Sequence, residues 1–113
     1  MKKFLCAVLV VMCLVGVVWA KEWYDGGTLT DASVGAWRKA DYANKLATCG
    51  NFLASLWMNK QLTIKIASMD ELKYYANELV DFIDAAVKGV KGINNHKVAE
   101  YAAMGVVMME WTK

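Results

Sequence analysis

His96 is the only imidazole in the chain, and Cys49 is the only thiol beyond the first twenty residues, so nucleophilic catalysis by a thiol and its base would need this pair. The sequence places Cys49 inside a predicted helix and His96 in a predicted turn, which reads as a buried structural cysteine and a helix-entry histidine. Zinc takes three or four protein ligands, and one His with one Cys falls short of that set. Glu78, Asp81 and Asp84 stand at i, i+3 and i+6, where they could offer carboxylates to a cation or supply the paired acids of a glycosidase. On a regular helix, with Lys88 four residues after Asp84, they read instead as a solvated face. No glycine-rich loop follows a strand, so nucleotide chemistry lacks its scaffold. The expectation is therefore no catalytic residue, no metal and no cofactor.

The stronger signal is for binding. Met104, Val107, Met108 and Trp111 lie at i, i+3, i+4 and i+7 on a predicted helix whose other side already supplies Val98, Ala102, Gly105, Val106 and Met109. Either that helix is central and buries both sides, or the second stripe binds something. Methionine adapts to varied surfaces and tryptophan anchors interfaces, so these four residues are the predicted binding site.

Three principal helices must position that stripe. Thr30 or Asp31 is a plausible N-cap for a first helix running to about Asn59, along which Ala36, Ala40, Ala43, Ala47, Gly50, Ala54 and Trp57 form a stripe that a neighbouring helix can approach closely. Asp41, Asn44, Lys45, Thr48, Asn51 and Ser55 are assigned to water, with Asp41 and Lys45 as an i,i+4 pair. Before it, Asp25-Gly26-Gly27 reads as a turn and Trp23 with Tyr24 as an aromatic hook folding back on the body. Residues 61–67 alternate apolar and polar side chains, in the manner of a half-buried strand, although Leu62, Ile66 and Met69 also fit helical spacing. They are read as an extended connector, with pairing to Thr28–Thr30 as one option.

Ser68 and Glu71 form a capping box for the second helix. Its apolar face runs through Leu72, Tyr75, Ala76, Leu79, Ile83, Ala86, Val87 and Val90 until Gly89 and Gly92 end it. Asn94 or Asn95 is expected to start the third helix, which continues almost to the C-terminus. The absence of proline leaves all three uninterrupted. The fold class is all-α: a small bundle of three principal helices with an extended connector.

The chain's compartment is written at its start. Lys2 and Lys3 precede an apolar run from Phe4 to Trp19, and Val18-Trp19-Ala20 places small residues three and one positions before a break at Lys21. That is the pattern of a secretory signal peptide, so the division is 1–20 signal peptide and 21–113 single helical domain. An uncleaved anchor is the alternative, since the run sits at the lower bound for crossing a bilayer. Neither Cys6 after Leu5 nor Cys13 after Met12 has the small residue before it that lipid attachment wants. Of the 13 Lys and Arg, two lie in the leader, so the remainder balances the 11 Asp and Glu. A neutral domain with scattered cations has no footprint for a phosphate backbone, which argues against nucleic acid.

The segment Thr48-Cys49-Gly50-Asn51-Phe52-Leu53-Ala54 resembles the Thr-Cys-Glu-Asp-Phe-Leu-Ala segment of the small periplasmic acid-stress chaperones of enteric bacteria. It covers seven positions, with substitutions at Gly50 and Asn51. The resemblance implies an exported helical domain that exposes apolar surface at low pH and holds unfolding clients. Two departures stand beside it: that family closes an internal disulfide with a second cysteine that this chain lacks beyond its leader, and its segment opens a helix. No functional residue is carried over.

The sequence thus leads to an exported, periplasmic or secreted, non-enzymatic domain that binds another protein or a second copy of itself, chaperone-like or inhibitor-like, with no membrane contact once the leader is removed. A carrier of a small apolar ligand in the bundle core is the first alternative, and a carboxylate-based hydrolase the second.

Overall fold

A computed structural model of the chain describes residues 22–113. The expected leader, Met1 to Ala20, and Lys21 lie outside the described residues. The described chain is an all-α bundle of three principal helices preceded by one short helix, with no strand among the described residues.

The short helix α1 spans Val34–Lys39 and α2 spans Tyr42–Met58, so the expected single first helix is two. The break has a local cause. Asp41 accepts from the Asn44 amide at 2.9 Å and starts α2 as its N-cap, which requires extended backbone at Ala40 and Asp41. Ser33 caps α1 through the Ala36 amide in place of Thr30 or Asp31. Helix α3, Met69–Val87, starts as the capping box predicts: Ser68 Oγ accepts from the Glu71 amide at 3.2 Å, while Glu71 reaches back to the Ala67 amide at 2.6 Å. It stops one turn sooner than expected, so Val90 is exposed beyond its end. Gly89 and Gly92 both adopt positive φ there.

Helix α4, Val98–Met108, begins later and ends earlier than its periodicity suggests. Its N-cap Lys97 makes no side-chain cap; instead the Val98 amide bonds the Ala32 carbonyl and the Val34 amide bonds the His96 carbonyl, tying the starts of α1 and α4 together. Arg38 completes this end of the bundle. Its guanidinium donates to the Val87 and Val90 carbonyls and to Asn94, joining the Val90 amide at the Val87 carbonyl just past the end of α3.

The core sits along α3, with α2 and α4 each packed against it. Leu46, Cys49 and Leu53 of α2 meet Leu72, Ala76, Leu79, Val80 and Ile83 of α3, and Val98, Ala102 and Val106 of α4 close the cluster. Gly105 permits the closest approach between α4 and α3: a Cβ there would lie 2.8 Å from Leu79 Cδ1 and 2.9 Å from Phe82 Cδ1.

The small-residue stripe of the first helix is covered differently from expectation. The segment before α1 lies over its middle, at Ala47 and Gly50, while Ala36 and Ala43 are exposed. Trp23 packs on Gly50, where a Cβ would come within 2.7 Å of the ring, and Gly27 lies against the backbone at Ala47 and Thr48. The aromatic hook therefore folds back as the sequence suggests. It also buries Thr48, which helical spacing alone would place in water. Thr48 Oγ1 accepts from the Leu29 amide and donates to Asn44 Oδ1, and Asn44 in turn exchanges two bonds with Thr28. These contacts seat residues 22–30 as a strap across α2.

Residues 61–67 are an extended connector with Leu62 and Ile66 buried. Their partner is the C-terminal tail: Thr63 N donates to the Trp111 carbonyl and Lys113 N to the Gln61 carbonyl around a single Leu62–Thr112 bridge. No such bridge forms with Thr28–Thr30.

Candidate functional site

The outer face of α4 follows from the helix's composition. Of its eleven residues only Glu100 carries a charge at neutral pH, so whichever way the helix turns, part of its apolar surface must remain uncovered once one side meets α3. Three predicted site residues form that surface: Met104 is 46% exposed, Val107 63% and Met108 65%.

The fourth, Trp111, does not join them. At i+7 it would share their face only if the helix continued, but α4 ends at Met108 and Glu110 takes φ 61°, which turns the chain back. Trp111 is consequently buried, its ring edge-on to Tyr75 at 5.1 Å. The site is therefore three residues, with Trp111 supporting from the core.

Beside this ridge lies a groove that the sequence reading did not anticipate. Because α2 and α4 each pack on α3, a gap of about 400 Å³ opens between them. Phe52 and Leu56 of α2 and Ala99, Ala102, Ala103 and Val106 of α4 give it apolar walls, and Thr30, Asn51 and Ser55 add polar groups. Ala99 and Ala103, spaced by four, were the available signal: small side chains on a helix leave room above them.

The titratable groups gather elsewhere, where α1, α2 and α3 meet. Asp84 Oδ1 accepts from Trp37 Nε1 at 2.8 Å and from Lys45 Nζ at 3.0 Å, and the ammonium stands 5.3 Å from the Trp37 ring centre. The expected pairs Asp41–Lys45 and Asp84–Lys88 are thus replaced by the bond Lys45–Asp84. Asp41 is instead the N-cap of α2. Burial pushes the Cys49 thiol well above its ordinary value, with the Asp84 charge adding to the effect. Tyr42 is also raised, by partial burial first and then by Asp81, Cys49 and Asp84.

This cluster holds helices together; its geometry does not assemble a nucleophile. Cys49 is fully buried and kept protonated, and His96 meets Tyr101 across 3.1 Å rather than a thiol. Glu78 and Asp81 are exposed, while Asp84 is engaged as above. Among the described residues, no group of three His, Cys, Asp or Glu side chains is placed to hold a metal ion. None of the described helices is long and apolar enough to cross a membrane.

No family model, curated protein or solved structure matches this chain.

Proposed function

We propose that the chain is exported, loses Met1 to Ala20, and acts without catalysis by binding another protein through the outer face of α4. The observation that carries this reading is the exposure of Met104, Val107 and Met108 side by side on one helix. Fully burying such a side chain contributes about 1.5–3 kcal/mol. Association itself costs on the order of 4–15 kcal/mol, so the three make an anchor and the adjoining groove must supply further contact. The holding of unfolding clients, implied by the seven-residue resemblance, is one form of such binding. The apolar run after Lys2 and Lys3 and its small-residue exit support a periplasmic or secreted location.

The groove between α2 and α4 favours a second reading, a carrier of a small apolar ligand, because its volume falls within the range of roughly 300–1,000 Å³ common to ligand sites. A carboxylate-based hydrolase has less support, since Asp84 is bonded to Trp37 and Lys45. One experiment tests the leading reading. A photo-crosslinking residue is placed at Val107, and another at exposed Lys73 on α3, in protein exported by a Gram-negative cell. Intact mass should begin at Lys21, and protein adducts should form at 107 and not at 73. Equal yields at both positions, or none at 107, would remove the reading.

A further inference from the structure

We propose that a pocket between α1 and the segment joining α3 to α4 binds a phosphate group, at a site separate from the outer face of α4. The pocket has a volume of about 570 Å³ and is lined by Ser33, Gly35, Ala36, Arg38, Lys39 and Asn94. No carboxylate is among them. The two segments meet here because the Gly35 amide bonds the Asn94 carbonyl at 3.0 Å and the Arg38 guanidinium donates to Asn94 Oδ1.

Arg38 carries the charge of the site. Its partners, the Val87 and Val90 carbonyls and Asn94 Oδ1, are all uncharged, so these bonds hold the guanidinium in place and leave its positive charge without a counter-ion. The two ion pairs among the described residues are Lys45–Asp84 and Lys97–Asp31, and neither Arg38 nor Lys39 belongs to one. The carboxylates that flank these segments in the sequence are committed elsewhere: Asp31 bonds Lys97, and Asp41 caps α2 by accepting from the Asn44 amide. A half-buried guanidinium that shares its pocket with an ammonium and with no acid creates a positive potential that an anion relieves.

The hydrogen-bond inventory selects among anions. Asn94 accepts from Arg38 through Oδ1, which leaves its Nδ2 to donate, and Ser33 Oγ accepts from the Ala36 amide while keeping its own O–H. With Arg38 and Lys39, every polar side chain of the lining is a donor. A carboxylate offers two oxygens to such a set, whereas a terminal phosphate offers three strong acceptors and suits both guanidinium and ammonium. One phosphate needs only these residues, not the stripe of cations that a nucleic acid requires. The group can be carried by a soluble ester or by a lipid headgroup, since exposed Lys88, Val90 and Lys91 stand in the same joining segment.

Amide shifts in NMR spectra of the exported protein test this, with inorganic phosphate, glycerol 3-phosphate and acetate as probes. Both phosphates should shift the Gly35, Ala36 and Asn94 amides saturably, and acetate at the same ionic strength should not. Lys39 is exposed, so Lys39→Glu should keep the wild-type melting curve while weakening both phosphates about tenfold or more. Lys73→Glu, an equal charge change at an exposed position on α3, should leave binding unchanged. Flotation with vesicles of phosphatidic acid in phosphatidylcholine separates the two sources: retention that Lys39→Glu abolishes assigns the headgroup, and phosphate binding without retention assigns the soluble ester. No saturable shift with either phosphate, acetate shifts equal to those of phosphate, shifts that spare the pocket, or equal losses in the two variants overturn the inference.

Discussion

Trp37 is the largest fully buried side chain, and its indole N–H has a single acceptor, the Asp84 carboxylate. Removing that acceptor strands a buried donor, at a cost of about 1–3 kcal/mol. Losing only the Lys45 charge is a smaller change, because the carboxylate is 43% exposed and ion pairs in contact with water contribute about 0–1 kcal/mol. Asp84→Ala should therefore lower the unfolding free energy by about 1–3 kcal/mol, Asp84→Asn by less because its carbonyl still accepts from Trp37, and Lys45→Met by under about 1 kcal/mol. Urea unfolding followed by tryptophan fluorescence gives all three values. A Lys45→Met loss as large as that of Asp84→Ala would mean that the charge, and not the indole bond, holds this junction.

At the scale of the elements, Gly105 and Gly50 make opposite demands. Gly105 sits against fully buried Leu79 and half-buried Phe82 of α3, so Gly105→Leu should overpack the core by about 1–3 kcal/mol. At Gly50 the atoms nearest an added Cβ all belong to the Trp23 ring of the strap. Gly50→Ala removes that seat while gaining up to about 1 kcal/mol of helix propensity, so the melting temperature should hold while the Leu29 amide, bonded to Thr48, exchanges faster. Unchanged exchange at Leu29 would show that the strap is held without Trp23. The same elements show what the sequence could disclose. The capping box at Ser68, the apolar face of α3 from Leu72 to Val87 and the alternation at 61–67 are local patterns that appear in the structure, whereas Val90, read as part of that face, lies exposed beyond the helix end. What stayed hidden depended on distant segments: the strap that buries Thr48, the Ala32 carbonyl that starts α4 where Asn94 and Asn95 suggested a cap, and the turn at Glu110 that carries Trp111 inward. Asp41 is the exception, a cap residue whose local signal was masked by apolar spacing that runs on through Ala40 and Ala43.

One apolar cluster extends from Leu29 to Trp111 and takes in all four helices of the described residues, among which no disulfide reinforces it. Cys49 lies fully inside that cluster, so a thiol reagent should reach it only when the bundle opens, and labelling should follow global unfolding. Its proton gives a second, independent readout. Burial, with a smaller contribution from Asp84, holds the folded thiol protonated far above the value of about 8.5 expected in the unfolded chain. Below that pH both states carry the proton and stability does not depend on it. Above it the unfolded chain releases a proton that the folded chain keeps, so unfolding becomes more favourable by on the order of 1 kcal/mol per pH unit. Urea midpoints of the wild type should accordingly fall between pH 8.5 and 10 relative to those of Cys49→Ala, and the two should run parallel from pH 6 to 8. Tyr42 is raised in both proteins by partial burial, Asp81 and Asp84, so subtracting the variant removes that shared part and leaves only the smaller share that Cys49 itself adds. Parallel curves up to pH 10, or labelling faster than unfolding, would place Cys49 in a region that opens locally and would divide the core between independent halves.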